Sequence, residues 1–458
     1  MNFTIKAGIL LTRLIPCFLF FPVSAQFSRN QIADQMERSI NTELLNKWYP
    51  RNFDTVYGGY LSTYTFDFKP TGAQDKFIVT QARHMWTNAK AALHNPQQKV
   101  YRQGAVHGFR FLRDVMWDKT YGGFYSLVNR QGQPISGDRP PKEAYGNAFA
   151  IYALAAYYEL TRDPEALDLA KKTFTWLEQH SHDPKYLGYF QFLDREGNPM
   201  IRTAETPSTS ELGYKDQNSS IHLLEAFTDL YHLWKDPLLE KRLRELLVLI
   251  RDRITNEKGN LVLFFYPDWT PLSYRDSSRA TIMKHHFLDH VSPGHDIETA
   301  YLLLEASHAL GIRNDSVTWK AARKMTNQAI AGCWDKSTGG LFDEGYYFKG
   351  ADTLTIIADT KNWWAQAEAM NTLLLMADAY PDAPEHYYQR FTQIWEYINT
   401  YMIDHTYGDW YAAGYDKSPS IKTALKGHMW KATYHHYRAL YNCMERLRSS
   451  SNKVNGSL

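Results

Sequence analysis

Three histidines, an arginine and a set of aromatic residues recur near the starts of apolar helical stretches, where a buried helix would otherwise carry aliphatic side chains. In chain order they are Arg83 and Trp86, Tyr145 and Asn147, Asn218 and His222, His295 and Glu298, Trp363, Trp364 and Glu368, then Trp430 and His435. Imidazoles titrate near neutrality, a guanidinium stays charged, and flat aromatic faces suit sugar rings. Such a set fits proton transfer at a carbon next to a carbonyl. The C–H there is weakly acidic, so the base must be placed and the developing enediolate oxygen must meet a fixed positive group. An aldose opened to its aldehyde has such a carbon at C2, and a second base on the opposite face would invert it. Two of the imidazoles would serve as the acid/base pair, the guanidinium as the fixed positive group and the aromatics as walls for the sugar.

Taken singly, each residue has an ordinary reading: a lone histidine on an apolar helix is more often a hydrogen-bonded core residue. Recurrence at one position of a repeat is what favours function. His295 and Glu298 lie at i, i+3, as a di-metal bundle would also show, but such a bundle needs the motif from a second helix and none supplies it. No metal or other cofactor is expected. Glu298 would orient an imidazole or bind a hydroxyl. His285 and His286, in the loop ahead of His295, read as solvated.

The elements that position these residues follow from a repeated phrase. Asp or Asn precedes a glycine turn and then apolar residues at Asp54 to Gly59, Asp118 to Gly123, Asp183 to Gly188, Asn256 to Gly259, Asp335 to Gly340 and Asp404 to Gly408. This is turn chemistry leading into a short strand. Between copies run two helical stretches. Residues 144–160 are apolar nearly all round and 164–180 are polar on one face; 219–234 with 237–254, and 295–310 with 316–333, repeat the pair. Six hairpins closing on themselves predict an all-α (α/α)6 barrel with short β-hairpin segments at one end, forming a single domain over residues 26–458. An open solenoid of helix pairs would repeat at shorter intervals and without glycine hairpins.

The 458 residues are 44% hydrophobic and 22% charged, with a net charge of +2, which supplies a large core and no field for nucleic acid. Lys6 and Arg13, the apolar run from Leu14, and Val23-Ser24-Ala25 read as a signal peptide over residues 1–25, which implies a periplasmic or secreted mature chain and no membrane association after processing. Beyond it, only Cys333 and Cys443 remain, enough for one disulfide and in no metal-binding spacing.

Two other classes use similar elements. An inverting glycoside hydrolase needs two carboxylates roughly 6.5–9.5 Å apart, for which Asp343 and Glu344 after the fifth glycine turn are the candidates, although they read more simply as solvated charges. A non-catalytic sugar-binding protein needs only the aromatics, and leaves Arg83, His295 and His435 without a reason to converge.

Several phrases carry a family resemblance: QARHMWT around Arg83, AYGNAFAIYAL from Ala144, Asn218-Ser219-Ser220-Ile221-His222, GHDIETAYLLLEA from Gly294, NWWAQAEAM from Asn362 and MWKATYHHYRA from Met429. The chain resembles the N-acylglucosamine 2-epimerase superfamily, closest to its cellobiose 2-epimerase branch, over nearly all of the expected mature chain. The resemblance implies C2 epimerisation at the reducing-end glucose of a β-1,4-linked disaccharide through a cis-enediolate. It matches His295 and His435 to the acid/base pair, and Arg83, Asn218 and His222 to groups around the carbonyl and C2 hydroxyl. Trp364 and Trp430 match sugar-stacking residues, and Tyr145 and Glu298 match polar contacts. Mannobiose offers the same kind of reducing end, and the sequence does not separate the two substrates.

Overall fold

The computed structural model describes residues 27–135 and 140–455. The expected signal peptide therefore lies outside the described residues. Six inner helices, Ile78–His94, Ala144–Thr161, Gln217–Leu233, Pro293–Ala309, Trp363–Ala379 and Tyr434–Asn455, form a closed ring in which each packs on the next and the last packs on the first. Outside them stand residues 29–48, Lys99–Phe111 with its continuation to Met116, Pro164–His180, Pro237–Leu249 with its continuation to Ile254, Ser316–Cys333 and Tyr387–Tyr401. The sixth hairpin joins the two ends of the described chain, because Arg29–Arg38 packs on Tyr434–Asn455. The fold is an (α/α)6 barrel, as its periodicity predicts.

Burial follows composition. Ala144–Thr161 is buried on nearly every side, whereas Pro164–His180 buries one stripe that includes Leu169, Phe174 and Leu177. Aspartates start three outer helices: Asp163, Asp236 and Asp315 accept hydrogen bonds from first-turn amides, and the first two are followed by a proline whose missing N–H costs nothing there.

The glycine turns lie between each outer helix and the next inner one. Asp118 Oδ1 accepts from the amides of Thr120 and Tyr121 at 2.9 and 3.2 Å, and Gly123 takes φ +69° with the Trp176 ring where a Cβ would stand. The strand Lys76–Phe77 before the first inner helix pairs with Leu127–Val128 after the second turn; Lys142–Glu143 with Phe192–Leu193, and Lys215–Asp216 with Phe264–Phe265, repeat the stitch. Neighbouring hairpins are thus tied at the end where the inner helices begin.

A second repeat accompanies the turns. A lysine two residues ahead of an inner helix is buried against the aspartate of the turn: Lys76 on Asp54 at 3.0 Å, Lys142 on Asp118 at 3.2 Å, Lys215 on Asp183 at 2.7 Å and Lys361 on Asp335 at 2.7 Å. Lys426 serves Asp404 in the sixth unit at 2.7 Å. In the fourth unit Asn256 and Val291 occupy the two positions, so both charges are absent together. That pattern follows from the cost of a buried charge left alone. Lys215→Val, which strands Asp183, is expected to destabilise the fold by about 3–5 kcal/mol. Adding Asp183→Asn copies the fourth unit and should recover most of the loss in denaturant unfolding; a double variant as unstable as the single one would contradict this.

Cys333 and Cys443 are both buried free thiols, on an outer and an inner helix, so the one disulfide that the sequence allowed is not formed. Among the described residues no helix is long and apolar enough to cross a membrane.

Candidate functional site

The starts of the inner helices converge on one recess, and exposure falls along its depth. Trp430 is 36% exposed at the rim, His295 and Trp364 are half-buried, His435 is 6% exposed, and Glu298 and Glu368 are fully buried beneath it. The indole of Trp364 borders both imidazoles, with ring centres 4.5 Å from His295 and 6.0 Å from His435. Arg83 is buried across the recess. One Nη donates to the Trp430 carbonyl and the other to the Tyr145 hydroxyl, each at 2.9 Å, while its Nε–H has no protein acceptor among the described residues. Its guanidinium also lies over the Phe149 ring, 4.5 Å from the centre. His222 stands edge-on to Tyr145 at 5.1 Å. Asn218 is half-buried in the first turn of the same helix.

The three imidazoles are anchored differently. His222 Nδ1 donates to Glu225 Oε2 at 2.9 Å, since an ionised carboxylate can only accept, and His435 Nδ1 is hydrogen-bonded to Glu368 Oε1 at 2.7 Å. His295 Nδ1 instead meets the Ser292 hydroxyl at 3.0 Å. In each ring an engaged Nδ1 leaves Nε2 to face substrate. Burial pushes His295 down to about 3, with the charges of His222 and His290 adding to it. Burial also holds His435 well below the usual imidazole range, helped by Arg83 and Arg438. Both rings rest neutral, which is the form a base requires.

Beneath them lies a charged layer for which sequence reasoning gave only Glu298 and Glu368. Arg438, one turn along from His435, donates to Glu225, to Glu298 Oε1 at 2.9 Å and to Glu368 Oε1 at 2.8 Å; the Tyr434 hydroxyl also donates to Glu225. Glu298 lies 3.9 Å from His435 Nδ1. Burial raises Glu298, and the charge of Glu368 raises it further. Burial raises Glu368 to about 7. For Glu225 burial acts upward too, but Arg438 and then His222 outweigh it and hold the carboxyl near 2. The signal for Arg438 was its position three residues after His435, on the same helical face.

Other residues in the helix starts are structural. Trp86 stacks on Tyr152 at 5.3 Å, Trp363 packs edge-on to His428, and Asn147 holds the Phe124 amide at 2.9 Å. Asp343 accepts from the Asn362 amide at 2.7 Å and the Thr360 hydroxyl at 2.5 Å, so it fixes the start of an inner helix. Glu344 is half-buried, 3.6 Å from His286 Nε2. His285 corrects the solvated reading: it is 6% exposed, bonded to the Thr281 carbonyl and the Ser208 hydroxyl, and stacked on Tyr274 at 4.2 Å. Two connections longer than the others meet there, so what looked like a loop histidine is an internal tie.

Glu298, Glu368 and His435 present donor atoms within 4.8 Å of one another, from three helices, a convergence that motif spacing along one helix does not reveal. Arg438 already lies on both carboxylates, and its charge occupies the place where a divalent ion would need to sit. The donor set does not fit a metal. Activity is expected to survive prolonged chelation; complete loss restored by one divalent metal would contradict this.

The model of the N-acylglucosamine 2-epimerase (GlcNAc 2-epimerase) family matches residues 59–439. The chain is 29% identical over 419 residues to cellobiose 2-epimerase of Bacteroides fragilis, covering 91% of this chain and 98% of that one. Among solved structures, cellobiose 2-epimerase from Bacillus thermoamylovorans superposes with a TM-score of 0.78 at 28% identity, covering 91% of this chain and all of that one. Cellobiose 2-epimerase from Spirochaeta thermophila gives the same TM-score at 29% identity over 94% of this chain. The match along the helices that carry the recess shows that this chain belongs to the N-acylglucosamine 2-epimerase family, a family of carbohydrate epimerases and isomerases, and is an enzyme of that class.

Proposed function

We propose that the enzyme reversibly epimerises C2 of the reducing-end glucose in a β-1,4-linked disaccharide of the cellobiose type. The observation that carries this is the pair of neutral imidazoles bordering one indole, His295 and His435 on Trp364, with Arg83 fixed nearby by Tyr145 and the Trp430 carbonyl. The relatives named above are cellobiose 2-epimerases, which supports the same substrate class.

In this scheme the sugar enters, opens to its aldehyde and lies against Trp364. One imidazole takes the C2 proton through Nε2. The C–H electrons form the C1–C2 double bond, and the carbonyl π electrons move to O1, where Arg83 stabilises the enediolate charge. The opposite imidazole, after taking a proton from solvent on Nε2, delivers it to the other face of C2 while O1 returns its electrons to C1, and the first ring releases its proton to solvent. The product is the C2 epimer, and the proton count is balanced. His222, held by Glu225, is suited to the carbonyl or C2 hydroxyl oxygen.

Side-by-side incubation with cellobiose, mannobiose, lactose and N-acetylglucosamine tests the proposal. Glucosyl-mannose from cellobiose is expected. Free glucose would mean a hydrolase, turnover of mannobiose alone would move the substrate, and no product with any of the four would overturn the proposal. We also propose that residues 1–25 are removed and that the mature chain works outside the cytoplasm. N-terminal sequencing from the native host should begin at Gln26; an intact Met1 would contradict it.

A further inference from the structure

Arg438 connects two imidazoles that lie on different helices. It donates to Glu225, which holds His222, and to Glu368, which holds His435, so each ring reaches the same guanidinium through one carboxylate. It also donates to Glu298, beside Glu368, and to the Tyr434 hydroxyl. Arg438 is 3% exposed, and its three carboxylates, from the third, fourth and fifth inner helices, are between 0% and 5% exposed.

The charges of this layer close only with Arg438 present. The groups facing the two rings are Arg83 from the first inner helix, Tyr145 and Tyr152 from the second, Glu225 from the third, His295, Glu298 and Tyr301 from the fourth, Glu368 from the fifth, and Tyr434, His436 and Arg438 from the sixth. Tyr152, Tyr301 and Tyr434 are buried phenols and stay neutral, and burial holds His295 low. His436 is pushed down by burial and tied to Asp409 at 2.8 Å. Three carboxyl groups therefore face two guanidiniums. With one proton held between Glu298 and Glu368 the sum is zero while His222 and His435 are both unprotonated. Without Arg438, three carboxyl groups face Arg83 alone, and the rings become sites for the missing positive charge.

We propose that Arg438 is a positioning residue for both imidazoles: it seats Glu225 under His222 and Glu368 under His435, and its charge keeps the two rings unprotonated and able to accept a proton. The kinetic half of this rests on the C2 epimerase reading; the ionisation half does not.

The test compares wild type, Arg438→Lys and Arg438→Met. Ring titrations of histidine-labelled protein are followed by NMR, with His222→Gln and His435→Gln to assign the signals. In Arg438→Met both midpoints are expected to rise by about one pH unit or more, the size expected for losing a unit charge within a few ångströms in a partly polar interior. In Arg438→Lys, which keeps the charge and loses the fork, both midpoints stay near wild type. With cellobiose, a raised imidazole midpoint removes the base form at low pH, so the acid limb of kcat moves upward in Arg438→Met. Arg438→Lys keeps the limb but loses kcat by about tenfold or more with little change in KM, because the carboxylates are no longer held in fixed geometry.

Midpoints unmoved in Arg438→Met, or movement of only one ring, would overturn the proposal, as would kcat of Arg438→Lys within twofold of wild type. If Arg438→Met does not fold, Arg438→Lys decides alone. Wild-type protein that epimerises no disaccharide would overturn the functional reading instead, and the ring titrations would still judge Arg438.

Discussion

His435→Ala is expected to abolish net epimerisation, lowering kcat by about three to four orders of magnitude, at the upper end of what a positioned acid or base supplies. The loss is large because inversion needs a proton removed from one face and delivered to the other, and His435 is anchored by Glu368 at 2.7 Å in the orientation that one of those steps requires. His295→Ala should behave the same way. Its ring, held by Ser292 rather than a carboxylate, lies on the other contact of Trp364. The two variants differ from a simple loss of binding in one respect. The variant that keeps the imidazole on the side of the C2 hydrogen of cellobiose can still exchange that hydrogen with solvent, the other variant can exchange only that of the epimer, and KM should change little in either. His222→Ala, which removes a group assigned to oxygen and not to C2, should lose less. A His435→Ala enzyme that inverts C2 at near the wild-type rate would move the site elsewhere.

Arg83→Met should lower kcat by about two to three orders of magnitude, the usual cost of one fixed donor to a developing oxyanion. Methionine fills much of the same volume against Phe149 and Tyr434, so folding should be little affected; the two rings lie 4.5 and 5.3 Å from the guanidinium carbon. The effect should fall on kcat more than on KM, because charge on O1 appears only as the C2 proton leaves. Arg83→Lys should recover part of the loss, since a lysine supplies charge without the fork that bonds Tyr145 and the Trp430 carbonyl together. Equal activity in Arg83→Met and wild type would remove Arg83 from the chemistry.

The barrel was legible because it is periodic. Each glycine turn announces itself by an Asp or Asn ahead of Gly, and the contrast between 144–160 and 164–180 separates inner from outer helices. The upper part of the site was legible for the same reason: Arg83, Tyr145, His222, His295, Trp364 and His435 sit at matching places in successive units, and matching places in a closed ring face each other. What the sequence hid are pairings between buried charges. Lys215 and Asp183 are 32 positions apart, Arg438 and Glu225 are 213 apart, and nothing local marks them as partners. A lysine two residues ahead of an inner helix recurs often enough to have been noticed. Glu225 could be found only from the His222 ring above it, since i, i+3 places them on one helical face. Cys333 and Cys443 show the converse: as the two cysteines beyond residue 26 they allowed a bridge, and the packing keeps them as separate thiols.

Turnover of cellobiose in heavy water, with the product read by NMR at C2 of its reducing-end sugar, tests the central claim most directly. Two imidazoles on opposite faces, one removing and one delivering the proton, predict glucosyl-mannose carrying solvent deuterium at C2. Product formed with C2 still carrying its original hydrogen would contradict the two-histidine account and require that hydrogen to travel within the substrate.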